Sequence, residues 1–274
     1  MKIDYHTHNH FSVDSSQSTI DLIEHAIKMG IDEICITNHI ETFPQDGGTG
    51  IFTYEEAFER FTQVKKEIDD IQKDFPNIKI KFGAELEYIE EWMPEMKRLV
   101  DDIDFDFLIG SVHVVDEVVI SNTELSQELY KKVDEEHTYS RYFEQMFKMV
   151  EWGNFSVVGH FDVCKKGGTD IYGPFNPEKH KKQIIPILEL MKQKGIGIEL
   201  NTSGLRSNCK EIYPHTDILK WCKEIGIEHY TTGSDGHETK DIGWNIDKAM
   251  EILKEIGIKT ISTYEKRIPT KFEI

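Results

Sequence analysis

Four times this chain repeats one local unit, a helical pattern closed by Gly-Ile and a short apolar stretch: "IKMGIDEICIT", "MKQKGIGIELN", "CKEIGIEHYTT" and "LKEIGIKTIST". Gly30, Gly195, Gly226 and Gly257 stand where a left-handed residue ends a helix, and the isoleucine that follows opens a buried strand. A chain that passes from helix to strand in this way folds as α/β with a mostly parallel sheet. Strands are predicted near 2–5, 33–37, 79–84, 105–112, 156–159, 196–201 and 228–232, with a weaker one at 258–262.

Helix starts are readable at Ser18 and Thr53, each with an acidic residue three positions on. The first helix turns Leu22, Ile23, Ala26 and Ile27 inward, and the second Phe58, Phe61, Val64, Ile68 and Ile71. Further helical patterns lie near Pro94–Asp102, Glu128–Val150, Glu178–Lys194, Thr216–Glu224 and Asn245–Glu255. Seven or eight strands alternating with helices in 274 residues favour a closed barrel over an open sheet. No Pro/Gly/Ser-rich linker interrupts them, so 1–274 reads as one domain.

Cys35, Cys164, Cys209 and Cys222 show no CxxC spacing, which argues against a disulfide framework or a zinc ribbon and fits a reducing cytosol. The opening residues lack the basic-then-apolar pattern of a signal peptide, and no run of about 18 apolar residues marks a membrane span. The expected location is cytoplasmic. A formal charge of −18 repels nucleic acid and anionic membrane. An anionic substrate would then need strong local positive charge.

The predicted strands end in polar groups of one kind. The first, in "DYHTHNHFSVDSS", ends in His6 and His8; the second, "EICITNH", in His39; the third, "IKFGAELE", in Glu85 and Glu87. "FLIGSVH" ends in His113, "SVVGHFD" in His160 and Asp162, and the strand from 228 runs into "TGSDGH" with Asp235 and His237. In α/β barrels the C-terminal ends of the strands build the active site. Histidines and carboxylates gathered there would repel or stay unsatisfied, and divalent metals resolve that cost. Nitrogen and oxygen donors without sulfur suit two or three ions of zinc, manganese or iron, and ions a few ångströms apart serve hydrolysis, notably of phosphate esters. His10 belongs to a loop, His229 to packing, and His137, His180 and His215 to exposed polar stretches. Glu87 and Asp162 are placed to orient a neighbouring ligand histidine.

In this order, "HTHNHFSVDSS", "ITNH", "GAELE", "SVH", "GHFD" and "SDGH" resemble the motifs of the PHP (polymerase and histidinol phosphatase) superfamily. The length, the helical insert after "SVH" and the "ELNTSGLR" segment are most similar to its stand-alone phosphatases of histidinol phosphate. The resemblance implies a distorted, TIM-like (β/α)7 barrel with its metal site at the C-terminal ends of the strands. It implies His6, His8, Glu85 and Asp235 around a first ion, Glu85 bridging to a second with His113 and His160, and Asp14, His39 and His237 around a third. The catalytic set is then Asp235, His237 and Arg206. Arg206, in "NTSGLR", is the expected phosphate-binding cation, since guanidinium holds phosphate oxygens bidentately. Lys165 and Lys166 are further candidates. The leading expectation is a phosphomonoesterase of histidine biosynthesis acting on L-histidinol phosphate, a small-molecule partner. A phosphodiesterase or nucleotide phosphatase on the same core is the alternative, and a non-catalytic metal-binding module ranks last.

Overall fold

In the computed structural model, which describes residues 1–41 and 53–274, each of the four glycine joints closes a helix. Gly30, Gly195, Gly226 and Gly257 have φ of 72°, 71°, 88° and 83°, a region where a Cβ is strained. The amide after each returns to the carbonyl five residues back: Ile31 to Ala26 at 3.0 Å, and Ile196 to Met191, Ile227 to Cys222 and Ile258 to Leu253 at 2.9 Å each. These bonds satisfy carbonyls the helix end leaves free. All four isoleucines are buried, so each joint points the chain into the core.

The chain begins with β1 (Ile3–Thr7), α1 (Thr19–Lys28), β2 (Glu33–Ile36), β3 (His39–Ile40), α2 (Tyr54–Ile71) and β4 (Lys79–Glu87). It continues through α3 (Met93–Asp102), β5 (Phe107–Ser111), the short β6 (Val114–Val115) and β7 (Val118–Val119), α4 (Thr123–Tyr130) and α5 (Glu135–Trp152). After β8 (Val157–Val158) come α6 (Lys165–Tyr172), α7 (Lys181–Lys194), β9 (Gly197–Asn201), α8 (Thr216–Ile225), β10 (Tyr230–Gly233) and α9 (Ile246–Ile256). The chain finishes with β11 (Thr260–Glu265) and β12 (Ile268–Glu273).

The main sheet runs β1-β2-β4-β5-β8-β9-β10, with β3 joined to β4, and every pair in it is parallel. Its two edges meet just past β10: a parallel bridge joins Thr7 to Gly236, and the amide of Asp235 donates to the His6 carbonyl at 2.8 Å. The fold is therefore a nearly closed, distorted TIM-like barrel of seven strands. Apolar side chains along its strands, such as Ile34, Ile109, Ile198 and Leu200, are completely buried.

The expected strand at 258–262 does form, as β11, but outside that barrel. It pairs antiparallel with β12, and its Tyr264 ring packs on Phe107 at 5.0 Å. The Tyr5 hydroxyl accepts the Tyr264 amide and donates to Glu33. The ribbon thus covers the end of the barrel where the strands begin.

Three other expectations are corrected. The helical pattern at 128–150 is two helices, α4 and α5, the second capped by Asp134, whose side chain accepts from the His137 amide at 2.8 Å. On α2 the buried stripe runs through Ala57, Phe61, Val64 and Ile68; Phe58 lies about 100° round from Ala57 and is exposed, stacked on Tyr54. Ile27 of α1 is exposed for the same reason beside buried Ala26. Thr53 and Glu56 make a reciprocal capping box on α2, whereas at α1 the Asp21 carboxylate accepts from the Ser18 hydroxyl and not from its amide.

Candidate metal centre

The strand ends of the barrel bring nine sequence-predicted residues to one rim. His6 lies within β1 and His8 just beyond it, Glu85 is near the end of β4, and His113, His160 and Asp235 follow β5, β8 and β10 by two residues each. In β1 the burial is unbroken, and the alternation of a strand turns His6 and His8 to the same side.

The rings converge through Nε2. That atom of His6 lies 3.1 Å from Glu85 and 3.6 Å from Asp235, and that of His8 3.7 and 3.6 Å from the same two carboxylates. The Nε2 atoms of His113 and His160 are 3.1 Å apart, at 3.2 and 2.9 Å from Glu85. His39 and His237 present Nε2 to Asp14 at 3.3 and 2.8 Å. The His237 ring stacks on that of His8, 4.0 Å between centroids.

Electrostatics reads the same way. Burial opposes charge on His6, His39 and His113, yet the carboxylates of Glu199, Glu41, Glu87 and Glu85 outweigh it and raise all three pKa values. Burial and the neighbouring His237 and His39 push His8 down to about 3. Despite burial, the imidazoles hold Asp14, Glu85 and Asp235 below the ordinary carboxylate range. The cluster draws positive charge to itself. Nε2 of His6 and His8 and Oε2 of Glu85 are buried and have no hydrogen bond among the described residues, a state that costs about 1–3 kcal/mol per group unless something binds there. Among the described residues four sets of donors sit close enough to hold an ion: His8–Asp14–His39–His237, His6–His8–Asp235, His6–Glu85–His160 and His39–Glu41–His113. These residues fit divalent cations in nitrogen-and-oxygen coordination.

Carboxylates brace these rings, Glu87 as the sequence reading expected and others that it passed over. Glu199 of β9 is buried, accepts from the His160 amide at 2.8 Å and lies 2.7 Å from His6 Nδ1. That contact fixes the tautomer and leaves Nε2 for a metal. Glu87 lies 2.6 Å from Nδ1 of His113 and Glu41 3.0 Å from Nδ1 of His39. Asp4 holds the "TGSDGH" loop against β1 by accepting from the Ser234 amide and hydroxyl and the Gly243 amide. Asp235 itself has φ of 53°, and strain at such positions persists only where the surroundings over-determine it. Glu199 was findable, as an acidic residue inside an otherwise apolar strand; Glu41 and Asp4 carry no such local mark.

Other residues land away from expectation. Lys165 does not line the cavity: it is fully buried, and its ammonium donates to Asp162 at 3.0 Å and to the Ile212 carbonyl at 2.9 Å. Asp162 therefore does not orient His160; its Oδ2 takes Lys165 and the His215 amide. Nη2 of Arg206 donates to the carbonyls of Ser234 and Asp235 at 2.9 and 3.1 Å, and Nη1 is buried without a hydrogen-bond partner among the described residues. Arg206 braces the loop that presents Asp235 and is not among the cavity's lining residues. His180 is buried, not exposed, stacked on Phe175 and edge-on to Tyr139. His10 is exposed in its loop, and His229 packs against β11, 3.0 Å from the Ser262 hydroxyl.

The rim opens into a cavity of about 650 Å³, lined by metal-centre residues and also by Asn122, Glu124 and Lys166. That is the size of a small-molecule site. Among the described residues no helix is long and apolar enough to cross a membrane.

Residues 4–203 match the PHP domain family. A histidinol-phosphatase of Lactococcus lactis subsp. lactis is 28% identical over 269 residues, covering 96% of this chain and 94% of the relative. A crystal structure of histidinol phosphate phosphatase from Lactococcus lactis, complexed with zinc, L-histidinol and phosphate, superposes with a TM-score of 0.85 at 27% identity over 98% of both chains. A Listeria monocytogenes structure described as a putative histidinol phosphatase shares the fold, with a TM-score of 0.73 at 20% identity over 90% of this chain and 99% of that one.

Proposed function

The chain belongs to the PHP domain family, and on that premise we propose that it is a metal-dependent phosphomonoesterase, a histidinol-phosphatase hydrolysing L-histidinol phosphate to L-histidinol and phosphate. One observation carries the reading: six imidazoles converge with Asp14, Glu85 and Asp235 on the rim of one open cavity. Full-length similarity to a histidinol-phosphatase supports the substrate.

The donor set suits two to three divalent ions, zinc, manganese or iron: His6, His8, Glu85 and Asp235 for one, Glu85, His113 and His160 for a second, and Asp14, His39 and His237 for a third. When bound, such ions neutralise phosphate oxygens and activate water for in-line attack on phosphorus. Glu199, Glu87 and Glu41 hold the imidazoles to their task from behind. Lys166 opens α6 at the cavity wall and takes over the phosphate-attracting role expected of Lys165. Arg206 acts through Asp235, whose carbonyl it holds. Bound divalent ions would supply the local positive charge that a phosphate ester dianion needs on a chain of net charge −18. In this reading residues 1–274 form a single catalytic domain whose partner is a small phosphate ester in the cytoplasm.

The test is phosphate release by zinc- or manganese-loaded protein from L-histidinol phosphate, beside p-nitrophenyl phosphate, AMP and a dinucleotide, with His8→Ala and chelator-stripped controls. A strong preference for histidinol phosphate, lost in both controls, is expected. Wide preference for AMP or the dinucleotide would overturn the substrate, and no turnover by metal-loaded protein would overturn the activity.

A further inference from the structure

Among the described residues, the cavity that holds the metal centre is also lined by two charges of opposite sign that pair with no other side chain. Of the carboxylates lining the cavity, Asp14, Glu41, Glu85 and Asp235 each face an imidazole within 3.6 Å. The fifth, Glu124, has no ion pair and no side-chain hydrogen bond among the described residues, and the same holds for Lys166, the lysine lining the cavity. Both sit at helix starts, Glu124 on the first turn of α4 and Lys166 on that of α6.

The two helices are locked together. Gly167 has no Cβ because one would lie 2.2 Å from the Ser126 hydroxyl and 3.1 Å from the Tyr130 ring. Tyr130 donates to the Cys164 carbonyl at 3.0 Å, and Gln127 to Asp170 at 3.2 Å. Asn122 caps α4 by accepting from the amides of Glu124 and Leu125 at 2.9 and 3.2 Å. The carboxylate is therefore presented to the cavity from a fixed backbone, beside a lysine that shares the cavity with it.

We propose that Glu124 is a specificity-determining residue that binds an ammonium group carried close to the phosphate, so that the cavity selects amine-bearing phosphate monoesters. This rests on the phosphomonoesterase reading above. The ester of that reading has this pattern, with an α-ammonium on the carbon next to the ester methylene. Its phosphate meets the metal centre and Lys166, its ammonium meets Glu124, and an ester without the amine leaves the carboxylate unpaired. A charge-assisted bond of this kind is worth about 10- to 100-fold in discrimination.

The experiment compares kcat/KM of the metal-loaded enzyme for L-histidinol phosphate with that for 3-(imidazol-4-yl)propyl phosphate, its counterpart without the amine, in the natural protein, Glu124→Gln and Glu124→Asp. The expected result is a preference for the amine that falls about 10- to 100-fold in Glu124→Gln, mainly through KM, and returns in large part in Glu124→Asp. A uniform fall for both esters, with the ratio kept, overturns the proposal and makes Glu124 a structural residue of α4. Absence of any preference in the natural protein overturns it too. If histidinol phosphate is not turned over but phosphoethanolamine is, and Glu124→Gln removes that activity selectively, the substrate reading fails and the role of Glu124 stands.

Discussion

Replacing Lys165 by methionine separates a buried structural ion pair from a substrate contact. The lysine has no exposed surface, and its ammonium lies 3.0 Å from Asp162, 2.9 Å from the Ile212 carbonyl and 3.5 Å from Glu211. Methionine keeps the apolar stem but leaves Asp162, itself fully buried, with the His215 amide as its remaining donor and Oδ1 already without one. Breaking a buried pair from one side costs about 3–5 kcal/mol. For a chain of this size each kcal/mol lowers Tm by about 2–4 °C, so the fall should be about 6–20 °C. Thermal unfolding of metal-loaded protein measures it, and Asp162→Asn combined with Lys165→Met should recover a substantial part by removing the stranded charge. Because Lys165 does not line the cavity, KM for the phosphate ester should hold within a few-fold at a temperature where the variant is folded. An unchanged Tm with a KM raised tenfold or more would refute this reasoning and return Lys165 to the phosphate.

At Gly233 an added Cβ would lie 2.1 Å from Glu199 Oε1 and 2.5 Å from the His6 Cβ; Gly233→Ala should lower stability by about 1–3 kcal/mol and cut the metal-to-protein ratio, read by thermal melts and elemental analysis. Glu199→Gln weakens the hold on His6 Nδ1, and metal affinity should drop about 10- to 100-fold in chelator competition; an unchanged affinity would remove Glu199 from the centre. Burial lowers the pKa of His180 below its usual 6.5, so below that pH the unfolded chain binds the proton more readily and stability falls with acidification until the folded pKa is passed. His180→Phe should flatten the stability profile below about pH 6.5, and parallel profiles for the two proteins would count against it.

What the sequence made legible was whatever is encoded within a few residues. A glycine in the left-handed region followed by a buried isoleucine is a complete local instruction, and all four instances close their helices as read. Histidines and carboxylates at strand ends are local too, and a barrel brings strand ends together whatever their separation along the chain. Relations that depend on neighbours across the sheet were not legible. Nothing in "GHFDVCKKGG" tells which lysine turns inward; that is decided by Asp162 and by the Ile212 carbonyl, 47 residues away in sequence. The burial of Phe58 and Ile27 was misjudged because both lie one residue beyond a stripe whose true edge, an alanine, is a weaker hydrophobic signal. His180 looked exposed in a polar stretch, but Phe175 and Tyr139 close over it.

The closure of the barrel has a consequence for how the protein is made. β1 emerges ahead of the other strands, and its second neighbour is the segment around Asp235 and Gly236. Until that segment is made, one edge of this strand waits with its backbone groups unpaired, and His6 and His8 wait beside it. Unpaired edges of this kind invite pairing with other chains. A nascent chain halted before residue 235 should therefore be prone to aggregate and unable to assemble the His6–His8–Asp235 donor set, while one released just beyond it closes the ring and gathers its metal ligands in the same event.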